Sequence, residues 1–473
     1  MDAVIGASEA SSGLAGSFGL EHFGACDFND KRLTARAVLT ADALMKHPAG
    51  TLPAKLPRAQ LLGFYDFANN PKVSHDNVLA GHVQRTREQM CGTPGVKLII
   101  HDTTEADFSG LDIADLGPIG NGNCRGLLLH NVLAFDLERG EVIGLLGQFV
   151  HRRRKVPKGE SSQAKRAHPE RESRLWIRGA EAVGQVPVGE VWVNLNDRGG
   201  DGFENLEKQQ SFGQCFCVRS KSNRRVQVRD KAGRMVWRKL HNWARRLPTL
   251  ARKTVKVSAN TAQPEREAAV RIAAGAVRVP APHSKRGEHG DQPLDLWVVH
   301  VREEDPPANT ERLEWFILTN VPTEKKEQAL ERVGWYEKRP MIEEYHKAQK
   351  TGCAMESPQF TTRHALEVTV AMLSVVAVLL LRLRDLSRRP DADTTAATEV
   401  IDADYVEVLS LWRLREAKPA WSIKEFLYAL ARLGGHLGRR GDRLPGWLVL
   451  WRGWMELQRM VEGARLTRKK TCG

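Results

Sequence analysis

The order of predicted elements between residues 96 and 197 constrains the fold more than any other feature of this sequence. An apolar run from Val96 to Asp102 predicts a buried strand that ends in an acid. The β-rich runs 127–135 and 141–150 predict two more strands joined by a hairpin connection. A helical pattern over 170–183 and a strand pattern over 189–196 follow, and Asp197 comes directly after them. Three strands, a helix and a further strand predict a layered α/β sheet.

This order is that of a ribonuclease-H-like fold, so the expected fold class is α/β with a ribonuclease-H-like catalytic core. Between residues 219 and 315 the chain is mostly strand-like, which predicts a β-rich insertion into that core. Both ends of the chain have helical patterns, and the polar segment 388–398 has the composition of a linker. We therefore expect three domains, which are residues 1–75 (helical), 76–388 (core, with the insertion at about 219–315) and 389–473 (helical).

The composition agrees with a large globular protein that binds a polyanion. At about 150 residues per domain, 473 residues make roughly three units. With 41% hydrophobic and 27% charged residues, the chain is not collagen-like, coiled-coil or wholly disordered. Lys and Arg number 71 against 57 Asp and Glu, a formal net charge of +14. A surplus of this size favours nucleic acid as the partner before a membrane surface.

Cysteine usage and the N-terminal residues favour a cytoplasmic protein. Seven scattered cysteines make no disulfide framework, and the first residues form neither a basic n-region nor an apolar h-region. The longest apolar stretch, 368–381, has 14 residues, which is too short to span a bilayer and predicts a buried core helix. The pair Cys215 and Cys217 lies on a predicted strand without further ligands, which argues against a zinc site.

Three acids are candidates for a shared metal site. Asp102 and Asp197 follow predicted strands, where loops leave a rigid sheet, and Glu343 lies in a helical segment. Taken singly, each acid fits a solvated or capping residue better than a ligand. As a set in this fold order, they favour a carboxylate site for hard cations such as Mg²⁺ or Mn²⁺. Two such ions would activate a water or a 3′ hydroxyl and stabilise the leaving oxygen in phosphodiester chemistry.

The surroundings of Glu343 add groups that suit phosphates. Tyr336, Arg339, Glu343 and Lys350 are spaced so that an ideal helix would place them within about 60° of one another. The alternative is a mixed-charge surface helix, since Glu and Lys at such spacings are common. Pro340 would start or kink the helix, and with it present only Glu343 and Lys350 are securely on one face.

These residues resemble the Y-R-E-K signature of bacterial DDE transposases of the insertion-sequence-four family, and nearly the whole chain is similar to transposases of the transposon-five kind. The resemblance extends through His101-Asp102-Thr103-Thr104, Asn196-Asp197-Arg198, Val218-Arg219-Ser220-Lys221 and the segment 342–348, and to both ends of the chain. It implies a cut-and-paste transposase with Asp102, Asp197 and Glu343 as catalytic metal ligands. One departure is Pro340, which stands where the family has Trp.

The resemblance also implies how DNA is held. Tyr336, Arg339 and Lys350 would hold phosphates around a flipped base, and Trp315 would stack on that base, although a strand core residue is the alternative for Trp315. Arg219, Lys221 and Lys347 would contact the DNA backbone, and Arg32 and Arg36 would lie on a helix that recognises the terminal repeat. The partners are then DNA with terminal inverted repeats, target DNA and a second copy of the chain.

Several alternatives stay open on the sequence alone. The Trp-rich segment after residue 399 resembles the dimerisation region of the family, but a private helical core would also use these tryptophans. A non-catalytic DNA-binding regulator of transposition is the second functional hypothesis, and a stand-alone nuclease is the third. The three acids argue against the regulator, and the terminal-repeat helix argues against the nuclease.

Overall fold

The computed structural model describes residues 17–46, 50–257, 265–282, 289–418, 420–439, 442 and 444–471. Within them lie fifteen α-helices and twelve strands. The helices are α1 (Phe18–Phe23), α2 (Lys31–Lys46), α3 (Leu52–Lys55), α4 (Arg58–Ala68), α5 (His75–Gly92), α6 (Ser162–Ala167), α7 (Arg174–Val183), α8 (Phe203–Ser211), α9 (Leu240–Ala244), α10 (Lys326–Tyr336), α11 (Met341–Lys347), α12 (Arg363–Leu386), α13 (Ala403–Leu414), α14 (Ile423–Leu433) and α15 (Trp447–Thr471). The strands are β1 (Val96–Asp107), β2 (Gly117–Ile119), β3 (Cys124–Asp136), β4 (Glu141–His151), β5 (Val191–Asn196), β6 (Cys215–Arg219), β7 (Arg225–Arg229), β8 (Met235–Lys239), β9 (Ala251–Val257), β10 (Arg266–Val279), β11 (Leu294–Glu303) and β12 (Glu314–Thr319).

The helical N-terminal segment matches its prediction where it is described; residues 1–16 lie outside the described part. Asp30 accepts a hydrogen bond from the backbone N–H of Arg32 at 3.0 Å and thereby helps to satisfy the start of α2. The spacing of Leu33, Ala37, Ala41 and Leu44 predicts one apolar face of α2, of which the last three are fully buried and Leu33 is half-buried.

A single mixed sheet carries all twelve strands. Its main path runs β2-β3-β1-β5-β6-β12-β11-β10-β7-β8, with β4 paired to β3 and β9 to β10. β1 pairs antiparallel with β3 and parallel with β5, and β5 pairs parallel with β6. The α/β fold class is therefore confirmed as a large mixed sheet with helices at both ends of the chain.

The strands predicted as an insertion belong to this same sheet. β12 pairs with β6 of the core on one side and with β11 on the other, so the hydrogen-bond ladder continues from the core into residues 225–303. The segment is β-rich as expected, but it extends the core sheet rather than forming a separate body. Its apolar side chains pack into their own cluster, which also includes Phe203 and Leu206 of α8.

β1 is longer than its apolar run. The sequence predicted a strand that ends at Asp102, but the strand continues to Asp107, because β3 pairs with it along its whole length. The parallel pairing with β5 stops earlier, at His101 and Asn196. Asp102 therefore lies inside β1, at the point where the sheet opens beside the end of β5.

The long apolar helix α12 forms the centre of the largest hydrophobic cluster. By length and composition its 24 residues would suffice to cross a membrane, so the length argument from the 14-residue run was wrong. The most apolar window is, however, 89% buried inside the protein, where α12 contacts α5, β4 and α15. Its role as a core helix is confirmed by this burial.

The C-terminal helices pack against that core. Ala392 and Ala397, in the segment whose composition predicted a linker, are buried, and Ala396 pairs with Ser422 in an isolated bridge. The segment is therefore packed and is not an exposed linker. Trp447, Trp451 and Trp454 are all at least 95% buried within the chain, so the private-core alternative holds for these three tryptophans.

Candidate active site

The three predicted catalytic acids meet at one guanidinium group. Asp102 lies in β1, Asp197 follows β5, and Glu343 lies in α11. Arg339 Nη2 lies 2.6 Å from Asp102 Oδ2 and 3.9 Å from Asp197 Oδ2, and Arg339 Nη1 lies 2.6 Å from Glu343 Oε1. Folding thus brings to one cation side chains that are up to 241 positions apart in the sequence.

Backbone amides orient the two aspartates. The N–H of Thr103 donates to Asp102 Oδ1 at 2.8 Å, and the N–H of Gly199 donates to Asp197 Oδ1 at 2.6 Å. The second oxygen of each carboxylate is left to face Arg339. Because each outer oxygen is held by rigid backbone, both carboxylates point inward without help from a ligand.

Burial controls the electrostatics of the site. It raises the pKa of Asp102 to about 6, opposed by Arg339 and reinforced by the negative charge of Asp197. Burial also raises the pKa of Tyr336 to about 12, so its hydroxyl stays protonated and able to donate. The pKa of His346 falls to about 3 for the same reason, which leaves a neutral imidazole behind the acids.

The donor chemistry fits a hard divalent cation, but the present arrangement places Arg339 among the donors. Three carboxylates from separate elements are the ligands that Mg²⁺ and Mn²⁺ prefer. Within the described ranges, no three His, Cys, Asp or Glu side chains lie close enough together to hold a metal ion as they stand. Cys215 and Cys217 are not part of such a group either, and burial raises the pKa of the Cys217 thiol to about 12.

A cavity of about 240 Å³ opens directly beside Asp197 and Arg339. Trp315 and Tyr336 form part of its wall, with ring centroids 5.5 Å apart in an edge-to-face contact. Trp315 is only half-buried, so it has a free surface toward the cavity as well as its place in β12. Arg219 lines this cavity and also the adjoining one of about 440 Å³, which Lys221 borders.

The signature residues do not share one helix face. α10 ends at Tyr336, α11 begins at Met341 with Pro340 as its N-cap, and Lys350 lies in a π-helical turn over 348–352. The proline breaks the helix because it has no N–H to donate and restricts the residue before it. The break indicated by Pro340 is therefore present, and Glu343 and Lys350, which were expected on one helix face, lie in an α-helix and a π-helical turn respectively. Tyr336, Arg339 and Glu343 still converge on the site.

The predicted DNA-contacting lysines Lys347 and Lys350 and the N-terminal arginines contact other partners than the three acids. Lys347 binds Glu344 at 2.9 Å, and Lys350 lies 3.3 Å from Glu356. Arg32 is 92% exposed and folds back on Asp30, and Arg36 lies over Gly63 of α4. The structure thus separates a surface set of cations from the buried Arg339.

Two features of the site escaped the sequence reasoning. Arg339 was assigned to phosphates, and its bridging of the three acids has no signal in the sequence beyond its spacing from Glu343. Glu344, passed over in favour of Glu343, accepts a hydrogen bond from the indole N–H of Trp447 at 3.1 Å and so connects α11 to α15. That link joins residues 103 positions apart and has no local pattern.

Comparison with known protein families finds a match at each end of the chain. The family model described as transposase DNA-binding matches residues 17–73, and the one described as the transposase Tn5 dimerisation domain matches residues 375–472. Both ends of the chain are therefore similar to segments of DNA transposases. The first match lies inside the helical domain expected at 1–75, whereas the second begins inside α12, ahead of the boundary expected at 389.

One solved structure with which this chain aligns is a piggyBac transposase synaptic complex with hairpin DNA, determined by cryo-EM. The two are 10% identical, with a TM-score of 0.32, and the alignment covers 66% of this chain and 51% of the other. The alignment thus spans about half the length of that protein. A similarity this weak says nothing about the chemistry of the site.

Proposed function

We propose that the protein is a metal-dependent cut-and-paste transposase with a ribonuclease-H-like core, of the insertion-sequence-four kind that carries the Y-R-E-K signature. It would cleave DNA at transposon ends by way of a hairpin intermediate and join the freed ends to target DNA. The observation that carries the proposal is the convergence of Asp102, Asp197 and Glu343, from three separate elements, on the single guanidinium of Arg339.

The acids would hold the metal ions, and Asp102 and Asp197 would do so with the oxygens that now face Arg339. Bound Mg²⁺ or Mn²⁺ would supply the Lewis acidity that activates the attacking hydroxyl and stabilises the leaving oxygen. The Thr103 and Gly199 amides would keep the two aspartates oriented to hold the metal ions, which avoids reorganisation during the reaction. Every step of the sequence is a displacement at phosphorus, so one site serves cleavage, hairpin formation and joining.

The cavity beside the acids would accept a nucleotide at the transposon end. Trp315 and Tyr336 offer it an aromatic wall, and Arg219 and Arg339 offer cations for its phosphates. Stacking on Trp315 would hold a flipped base while the 3′ hydroxyl attacks the opposite strand. Lys221, Lys347 and Lys350, at the surface, would contact the DNA backbone without reading its sequence.

The two flanking domains place this chemistry on specific DNA in a dimer. Arg32 and Arg36 lie in the segment that matches transposase DNA-binding, where they would read the terminal repeat. The match at residues 375–472 supports a homodimer that pairs two transposon ends. The cytoplasm of a bacterium, where DNA is directly accessible, is the proposed compartment.

The decisive test is incubation of the protein with Mg²⁺ and DNA that carries its own terminal repeats. Hairpin and strand-transfer products support the transposase, binding without cleavage supports the regulator, and unjoined nicks support a nuclease. Asp102→Ala, Asp197→Ala and Glu343→Ala should each abolish cleavage and leave end binding intact. Asp112→Ala, at an exposed acid between β1 and β2, is the matched control and should cleave normally. Cleavage retained by any of the three variants contradicts the assignment.

A further inference from the structure

Arg339 occupies the position that a cation would need between the three acids. Its two terminal nitrogens lie 2.6 Å from the inward oxygens of Asp102 and Glu343. Its Nη2 also lies 3.9 Å from the inward oxygen of Asp197. A guanidinium and a divalent ion compete for the same carboxylate oxygens, since both are attracted by the same negative charge. The side chains of Arg339 and Asp102 are both 84% buried, so the competition for Asp102 takes place largely out of water, whereas Glu343 is 49% exposed.

An alternative place for Arg339 lies next to its present one. Arg339 lines the cavity shared with Trp315 and Tyr336, where a phosphate of the transposon end would lie under the proposed function. A phosphate offers a guanidinium two parallel hydrogen bonds, at least as good as those from the acids. The Nε of Arg339 is buried with no hydrogen-bond partner among the described residues, so the present position leaves one donor unsatisfied.

We propose that Arg339 is an exchangeable counterion that couples metal loading to engagement of the transposon end. Without DNA it neutralises Asp102 and Glu343 and keeps the metal affinity of the acids low. A DNA phosphate in the adjoining cavity draws the guanidinium away and frees the carboxylates for divalent ions. Cleavage is thereby restricted to enzyme that already holds its DNA. This inference rests on the proposed function, since it takes the three acids as the metal site.

The test is direct binding of Mn²⁺ to the full chain without DNA, measured by the loss of the free-ion electron paramagnetic resonance signal. Arg339→Gln should bind Mn²⁺ at least about tenfold more tightly than the wild type, and the gain should vanish in the double variant with Asp102→Ala. Saturating terminal-repeat DNA should raise the wild-type affinity toward that of Arg339→Gln. The thermal midpoint should also rise more with added Mg²⁺ in Arg339→Gln than in the wild type.

Equal or weaker Mn²⁺ binding by a folded Arg339→Gln protein would overturn the counterion proposal. Its failure is distinguishable from failure of the proposed function. If Asp102→Ala does not weaken Mn²⁺ binding in any background, the acids are not the metal site and the proposed function fails. If the acids bind Mn²⁺ but Arg339→Gln gains nothing, only the counterion proposal fails.

A different observation, a cavity of about 290 Å³ at the start of α7, carries a second inference independently. Five arginines line it, together with two acids, and they are Arg152, Arg171, Arg174, Arg178 and Arg363. Arg152 and Arg363 both bind Asp115, at 2.6 and 3.0 Å. Among the described residues, neither Arg174 nor Arg178 forms an ion pair within 4 Å, although Arg178 stacks on Phe149 at 4.4 Å and its charge lowers the pKa of Asp76. The cavity therefore attracts an anion.

Its place in the sheet points to a second DNA segment. From Asp102 on β1, the path β5-β6-β12 leads to Trp315, whereas β3 and then β4 lead the opposite way to His151, which borders the arginine-lined cavity. The two cavities thus flank the acids on opposite sides. This inference rests on the proposed function, under which the transposon end lies on the Trp315 side and leaves the arginine side for the DNA that receives it. We infer that Arg174 and Arg178 bind the backbone phosphates of target DNA.

The test measures how the full chain, already loaded with its transposon ends, binds a random-sequence duplex as salt is increased. Arg174→Ala with Arg178→Ala should weaken this binding at least tenfold and reduce the salt slope by about 2, while end binding stays unchanged. Arg174→Lys with Arg178→Lys should keep most of the affinity. The control is Arg139→Ala, at the opposite end of the β3–β4 hairpin, which should bind as the wild type does. Unchanged duplex binding by the double alanine variant contradicts the inference.

Discussion

Asp102 is held in a setting that favours its protonated form. Burial raises its pKa to about 6, so the folded protein binds this proton more tightly than the unfolded chain, where the carboxyl titrates near 3.8. The stability that this group contributes is therefore present below about pH 4 and is lost as the pH rises to about 6. Asp102→Asn stays neutral and should raise the free energy of unfolding at pH 7 by about 1–3 kcal/mol.

Thermal unfolding of the wild type and Asp102→Asn at two pH values checks this prediction. The gain should be large at pH 7 and close to zero near pH 3, because the wild-type carboxyl is protonated in both states only below its unfolded pKa of 3.8. A gain of the same size at both pH values would show that packing, and not charge, is responsible. Such a trade of stability for function is common where an active site needs a buried charge.

Trp315 has two roles to separate, since it packs in β12 and also faces the cavity beside the acids. Trp315→Ala should slow hairpin formation by at least about tenfold more than the first nick, because only the hairpin step needs a flipped and stacked base. Single-turnover assays that resolve nicked and hairpin products measure both rates. Trp315→Phe keeps an aromatic face and is the control. Equal slowing of both steps by the alanine variant would mean a purely structural role.

At the scale of elements, α11 is held by a contact with the last helix. The indole N–H of Trp447 donates to Glu344, the neighbour of Glu343, at 3.1 Å. Trp447→Phe removes this hydrogen bond and keeps most of the ring packing. It should lower the cleavage rate several-fold without changing end affinity, because Glu343 loses support for its position.

The chain offers a matched control for this change. Trp451 lies one turn further along α15, is also buried, and its indole N–H has no partner among the described residues. Trp451→Phe therefore makes the same substitution without breaking a hydrogen bond, and its cleavage rate should stay near that of the wild type. If the two variants cleave equally well, the link between Glu344 and Trp447 has no catalytic role.

Elements with a strong local period were predictable from the sequence. The apolar stripe of α2 and the apolar run of α12 identified both helices, because burial on one face leaves a direct trace in the residue order. The end of β1 was misplaced because pairing with β3, which is remote in sequence, extends the strand beyond its apolar run. The break between α10 and α11 was visible only as Pro340, and periodicity alone placed all four signature residues on one face.

The candidate site was predictable as a set of acids but not as a geometry. Resemblance to a known signature picked out Asp102, Asp197 and Glu343, and the chain brings all three to Arg339. Whether Arg339 faces phosphates or carboxylates depends on side-chain packing, which no spacing rule contains. The arginine-lined cavity could not be predicted from the sequence for the same reason, since its walls come from β4, α7 and the start of α12.

At the scale of the whole molecule, the exposed apolar surface of the dimerisation segment lies on α13. It does not lie at the tryptophans that the sequence indicated as interface residues. Leu411, Trp412 and Leu414, at the end of α13, are 41%, 36% and 41% exposed, whereas Trp451 is buried. A cluster of exposed apolar side chains in a dimerisation domain is a candidate contact with the second copy.

Leu411→Ser with Leu414→Ser should therefore weaken the dimer in the DNA complex by at least tenfold and leave the thermal midpoint of the single chain nearly unchanged. Trp451→Ser, in contrast, should unfold the C-terminal helices, because it opens a cavity in the core. Sedimentation of the protein with end DNA measures the first effect, and circular dichroism measures the second. Dimers of normal stability in the double serine variant would place the interface elsewhere.

The continuous hydrogen-bond ladder from β6 through β12 to β11 has a consequence for deletion variants of this protein. Cutting out residues 225–303 would leave the outer rim of β12 with bare N–H and C=O groups along Trp315 to Thr319. Such a rim recruits strands from other molecules, so the shortened protein should precipitate rather than dissolve as a minimal nuclease. The segment 225–303, which the sequence presents as an insertion, therefore protects the core sheet from aggregation through an exposed edge strand.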